Sequence, residues 1–151
     1  FKSQVELLAT TVAKNHGFEE LFADDDVEVV LLSTAIESES SGRTCGGQLA
    51  NIINGDTPEG GGNMQWAGLI GDPSCDLVPK GDLQLKLISG GSFPAATPNG
   101  PLEFSYPWPK LTSAAKGAGY SAYCKVSPIN QIDLLAKPRP DKCTVGAVET
   151  P

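Results

Sequence analysis

Leu83, Leu85 and Leu87 alternate with Gln84 and Lys86, and Leu102, Phe104 and Tyr106 alternate with Glu103 and Ser105. A period of two marks half-buried strands. Between the runs, Gly90, Gly91, Pro94, Pro98, Asn99, Gly100 and Pro101 supply turn chemistry and argue against a helix. Residues 82–106 are therefore expected to form a two-stranded unit with a long exposed loop. Just beyond, Pro107-Trp108-Pro109 belongs in a loop or on a sheet edge, because proline lacks the N–H that a ladder needs.

Elsewhere the pattern is weaker. The first twenty residues read two ways: Val5, Leu8 and Val12 make a helical stripe stopped by Asn15, His16 and Gly17, while Phe1, Ser3, Val5, Leu7 and Ala9 alternate as a strand would. Phe18 to Phe22 reads as a helical turn, and Val27 to Ala35 as one buried strand rich in β-branched residues and leucine. Ser38 to Arg43 suits a surface loop, Gln48 to Asn54 one or two helical turns, and Gln65 to Ile70 a short strand. Ser113 to Lys116 suits a helical turn. Tyr120 to Val126, Gln131 to Ala136 and Thr144 to Val148 are the remaining strand candidates. No repeat is evident, which argues against a solenoid or propeller. Six or so short strands joined by turns predict a mainly β fold, a small β-barrel or sandwich with one or two short helices.

Composition agrees with this picture. The 151 residues suit a single domain, 1–151, and 17 glycines with 12 prolines favour many short elements over long helices. The net charge of −7 is uneven: residues 1–60 carry −8 and residues 61–151 carry +1. No basic footprint for phosphate contacts stands out, so nucleic acid and anionic membrane surfaces are not expected partners. No run approaches the roughly 20 apolar residues of a membrane span. The chain starts at Phe1 with no charged-then-apolar leader, as a processed secreted protein would, and it has no N-glycosylation sequon.

Cys45, Cys75, Cys124 and Cys143 show neither a CxxC pair nor a zinc-knuckle spacing. Four cysteines allow three pairings. Neighbour pairing, Cys45 with Cys75 and Cys124 with Cys143, is expected because each closes a loop of moderate length. Such a bridge stabilises by about 3–4 kcal/mol in the chain-entropy picture. Two disulfides point to an oxidising compartment and hence to secretion.

The catalytic signals are thin. His16 is the single histidine, so any Ser-His-Asp or Cys-His arrangement depends on it, and it sits in a helix-stop context. Ser113-Ala114-Ala115-Lys116 has the Ser-x-x-Lys spacing without that class's companion motifs. Gly60-Gly61-Gly62 lacks the lysine of a phosphate loop. Glu19, Glu20, Asp24, Asp25, Asp26 and Glu28 are dense enough to suggest calcium, yet lack EF-hand spacing and read as a solvated acidic turn. No metal or cofactor is expected.

The second half concentrates aromatic residues. Phe93, Tyr106, Trp108 and Tyr120 are the candidate binding residues, an apolar platform with polar handles. The expected function is that of a secreted, non-enzymatic protein of the effector, elicitor or adhesion type. It would act through exposed loops on a protein or carbohydrate at a cell surface. The alternative is a small extracellular hydrolase acting on polysaccharide through carboxylates such as Asp82, Glu103 or Asp133.

Overall fold

The computed structural model describes residues 2–13, 15, 18–38, 41–55, 62–67, 71–75, 78, 80–81, 83, 85–93, 102–110, 112–125 and 131–149. The strands are β1 (Ser3–Leu8), β2 (Thr11–Ala13), β3 (Glu19–Ala23), β4 (Val27–Leu32), β5 (Ala35–Glu37), β6 (Arg43–Gly47), β7 (Ile52–Asn54), β8 (Met64–Trp66), β9 (Leu85–Phe93) and β10 (Leu102–Pro109). One short helix, α1 (Ser121–Lys125), follows. The protein is mainly β, as expected. Its sheets do not close into a barrel.

The first eight strands form three parallel sheets in the orders β1-β4-β7, β2-β5-β8 and β3-β6. Ser3 pairs with Val27, Thr11 with Ala35 and Glu19 with Arg43, the same step of 24 residues in all three sheets. The next step brings Ile52 beside Val29, Met64 beside Ala35 and Asp72 beside Arg43. The chain therefore winds as a short three-sided solenoid, with β1–β3 in coil 1, β4–β6 in coil 2 and β7–β8 in coil 3. This overturns the expectation that no repeat architecture is present. The repeat lies in the backbone register, and successive coils of 24 and then 23 or 29 residues share too little sequence to reveal it.

Apolar ladders fill the interior. Leu7 stacks beside Leu31, Val12 beside Ile36 and Leu21 beside Cys45, and all six belong to one cluster with Val29, Ile52, Cys75 and Val78. One corner repeats through the coils. Ala9, Ser33 and Gly62, each two residues before a strand of the second sheet, all have positive φ, at 46°, 51° and 111°. At the next position, the Asn63 side chain locks that corner: Oδ1 accepts from Thr34 N at 2.8 Å, and Nδ2 donates to Leu31 O at 2.7 Å and to Asn54 Oδ1 at 2.6 Å.

The corner explains one sequence error, since Val27 to Ala35 is two strands broken at Ser33. The supposed helical turn at Phe18–Phe22 is β3, held by the parallel partner β6 rather than by local spacing. The ambiguous first residues are strands β1 and β2. Gln48–Asn54 holds only a single 3-10 turn, Leu49–Asn51, before β7. Gln65 falls in β8, which ends at Trp66.

The antiparallel unit is present. β9 pairs with β10 from Leu85–Pro109 to Phe93–Leu102, with a register irregularity between Phe104 and Ser105. Gly90 and Gly91 are part of β9 rather than of a turn, and the loop 94–101 lies outside the described residues. Pro107 and Pro109 occupy a strand of a two-stranded sheet, the edge position expected of them.

The C-terminal region is held by side chains in place of strands. Ser121–Lys125 is helical where a strand was expected, and residues 131–149 form turns and bends around one isolated bridge between Ile132 and Pro138. Asp133 Oδ1 accepts from Leu135 N and Lys137 N, and its Oδ2 accepts from Glu149 N. The Glu149 carboxylate accepts from Thr144 N and, at 2.9 Å, from Arg139 Nη1. Arg139 also donates to Thr144 O and Gly146 O. Burial pushes the Arg139 guanidinium below its usual range, while Glu149 and Asp133 pull it back up. This region docks on the repeated corner: Gly146 N donates to Ser33 O, Ala147 N to Thr11 Oγ1 and Tyr120 N to Ser33 Oγ.

Both disulfides join sequence neighbours as expected, Cys45 to Cys75 across coils 2 and 3 and Cys124 to Cys143 between α1 and the C-terminal turns. Among the described residues, no helix is long and apolar enough to cross a membrane.

Candidate functional site

Coil 1 lies at one end of the stack. No described strand pairs with the outer edges of β1, β2 and β3. Among the described residues those edges have no ladder partner, and an unpaired strand edge is a template for a further strand. Side-chain exposure follows from the same position. Val5 stands in register with Val29, yet it is 45% exposed while Val29 is 4% exposed, because Val29 has a neighbour on each side and Val5 on one only.

Two phenylalanines of coil 1, one in β3 and one just before it, are exposed as well. Phe18 is 61% exposed and Phe22 62% exposed. The Arg43 guanidinium carbon lies 5.5 Å from the centre of the Phe18 ring, within cation–π range, while Arg43 Nε is 3.4 Å from Asp72 Oδ2. The same guanidinium thus meets both Asp72 and the Phe18 ring. Phe22 pairs with Gly46, and its ring tip reaches over Gly47, where a Cβ would sit 3.0 Å from Phe22 Cζ. Gly47, with φ of +75°, thus leaves the ring room to lie over the backbone. Nearby, Glu20 is buried and accepts from Asn15 N.

Three of the four aromatic candidates lie on the antiparallel ribbon: Phe93 opposite Leu102, Tyr106 opposite Ile88 and Trp108 opposite Lys86. Their side chains are outside the described residues. Tyr120 is elsewhere, half-buried at the start of α1, with its ring edge-on to Tyr123 at 5.2 Å and its backbone N bonded to Ser33 Oγ. It anchors the C-terminal region to the coil.

The catalytic candidates fare differently. Both oxygens of Asp133 are committed to backbone N–H groups, which leaves it a structural role. His16 and Asp82 lie outside the described residues, as does the Glu103 side chain within β10. Ser113 Oγ accepts from Ala115 N and so closes its own turn. Asp24, Asp25 and Asp26 form the exposed turn between β3 and β4, where the carbonyls of Asp24 and Asp25 accept from Asn51 Nδ2. Among the described residues, no group of three or more His, Cys, Asp or Glu side chains converges to hold a metal ion.

The sequence reading missed Phe18, Phe22 and Val5. The usable signal was the spacing of four between the phenylalanines, which serves a helix face and a strand face equally. What exposed rings on a coil with unpaired strand edges can do is hold an extended polypeptide: the ladder supplies affinity and the rings select side chains. Comparison with family models, with characterised proteins and with solved structures finds no match for this chain.

Proposed function

We propose that the protein is a secreted binding protein of the effector, elicitor or adhesion kind, which engages a polypeptide at a cell surface through coil 1. The observation that carries this reading is the coincidence of Val5, Phe18 and Phe22, all exposed, with the open edges of β1, β2 and β3. Exposed rings near an open ladder favour strand addition over a smooth glycan contact. Two buried disulfides support a site of action in an oxidising compartment, where such bridges persist. The experiment is to measure binding of fluorescently labelled protein to intact cells that have been treated with protease, with glycosidases, or left untreated. Loss of binding after protease alone is expected. Binding that survives protease but disappears after glycosidase treatment contradicts a polypeptide partner.

A further inference from the structure

Of the three strands of coil 1, β1 is the longest, at six residues, and its two faces differ in chemistry. Val5 and Leu7 share a face with Val29 and Leu31, their partners in β4, and so belong to the interior side of the stack. Gln4 and Glu6 take the opposite face. There Gln4 Nε2 donates to Glu28 Oε1 at 2.8 Å, and Glu6 is exposed. The edge of β1 therefore offers an incoming strand an apolar row at Val5 and an anionic row at Glu6.

The surroundings are acidic as well. Residues 1–28 hold seven Asp or Glu against Lys2 and Lys14, and so carry −5 of the chain's −7. Lys2, the cation beside β1, is engaged within the fold, where its Nζ donates to Asn51 Oδ1 at 2.6 Å. A second copy meeting this edge with its own would set −5 against −5, and like charges opposite one another on a ladder are destabilising. A basic strand is drawn in by the same field. We infer that the polypeptide engaged by coil 1 is a basic extended segment that adds to β1. Its apolar residues continue the Val5 row, and its alternating lysines or arginines continue the Glu6 row. The inference rests on the reading of coil 1 as a polypeptide-binding surface and supplies the chemistry of the partner.

The test is titration of the full chain with labelled peptides long enough to span the six residues of β1, each alternating valine with lysine, glutamine or glutamate. Fluorescence anisotropy is read at low and at raised salt for the wild type, Glu6→Gln and Glu6→Lys. Glu6 is exposed, so both variants are expected to fold normally. The lysine peptide is expected to bind at least tenfold tighter than the glutamate peptide, with the gap narrowing in salt, in Glu6→Gln and most of all in Glu6→Lys. Equal affinity for all the peptides would overturn the basic partner and leave the polypeptide reading standing. A preference for lysine that Glu6→Lys leaves unchanged would remove β1 as the site. Binding of none of the peptides would overturn the inference and the reading beneath it together. Sedimentation of the chain alone as a dimer that Val5→Lys disperses would make a second copy the occupant instead.

Discussion

At the scale of single residues, buried amides do what the strands are too short to do alone. Gln65 is 1% exposed; its Oε1 accepts from Thr44 Oγ1 and Cys75 N, and its Nε2 donates to Cys75 O and Val78 O. Asn63 ties together Thr34, Leu31 and Asn54 in the same manner. Replacing Asn63 with alanine orphans the Thr34 N–H in a buried corner, at about 1–3 kcal/mol, while the Leu31 carbonyl keeps its bond from Gly55 N. Urea denaturation of Asn63→Ala is expected to show a loss of about 1–3 kcal/mol, and a loss below 0.5 kcal/mol would deny the corner its role. Neither amide was legible in the sequence, since Asn63 and Gln65 look like loop and strand-surface residues until a neighbouring coil surrounds them. Arg139 and Glu149 were hidden likewise, because a charged pair ten residues apart gives no sign that both ends are buried.

At the scale of elements, the readings that succeeded depended on strictly local signals. The alternation around Leu85 and Leu102, and the turn-rich stretch between them, were sufficient to find the antiparallel ribbon. Parallel strands of three to six residues offer no such local pairing, and each is defined by a partner a whole coil away. That is why β3 looked like a helical turn. The repeated left-handed corner is the element that sets the coil. Gly62 there has φ of +111°, and a Cβ would come within 2.7 Å of Ser33 Oγ and 2.9 Å of Tyr120 N. Gly62→Ala is therefore expected to strain the corner and to loosen the docking of Tyr120. The expected loss is about 1–3 kcal/mol in stability, with faster amide exchange at residues 120–125. Unchanged exchange there would separate the corner from the C-terminal region.

For the whole molecule, the acidic half of the chain winds into the coils, and the more basic half forms the ribbon and the C-terminal turns. The two disulfides follow that division, one within the coils and one joining α1 to the C-terminal turns. The charge division follows from counts, whereas four cysteines leave three pairings open, and the neighbour pairing expected from loop lengths is the one present. The interaction surface that composition suggested lies largely on the ribbon, at Phe93, Tyr106 and Trp108, whose side chains are outside the described residues; the surface proposed here is coil 1, whose exposure arises from its place in the stack. The most direct measurement is the binding of labelled wild-type and Phe18→Ser/Phe22→Ser protein to the same cell surface, alongside their thermal unfolding. With both rings already more than 60% exposed, the variant is expected to unfold within a few degrees of the wild type. Its binding is expected to fall at least tenfold. Undiminished binding by a normally folded variant would contradict the assignment of coil 1 as the contact surface.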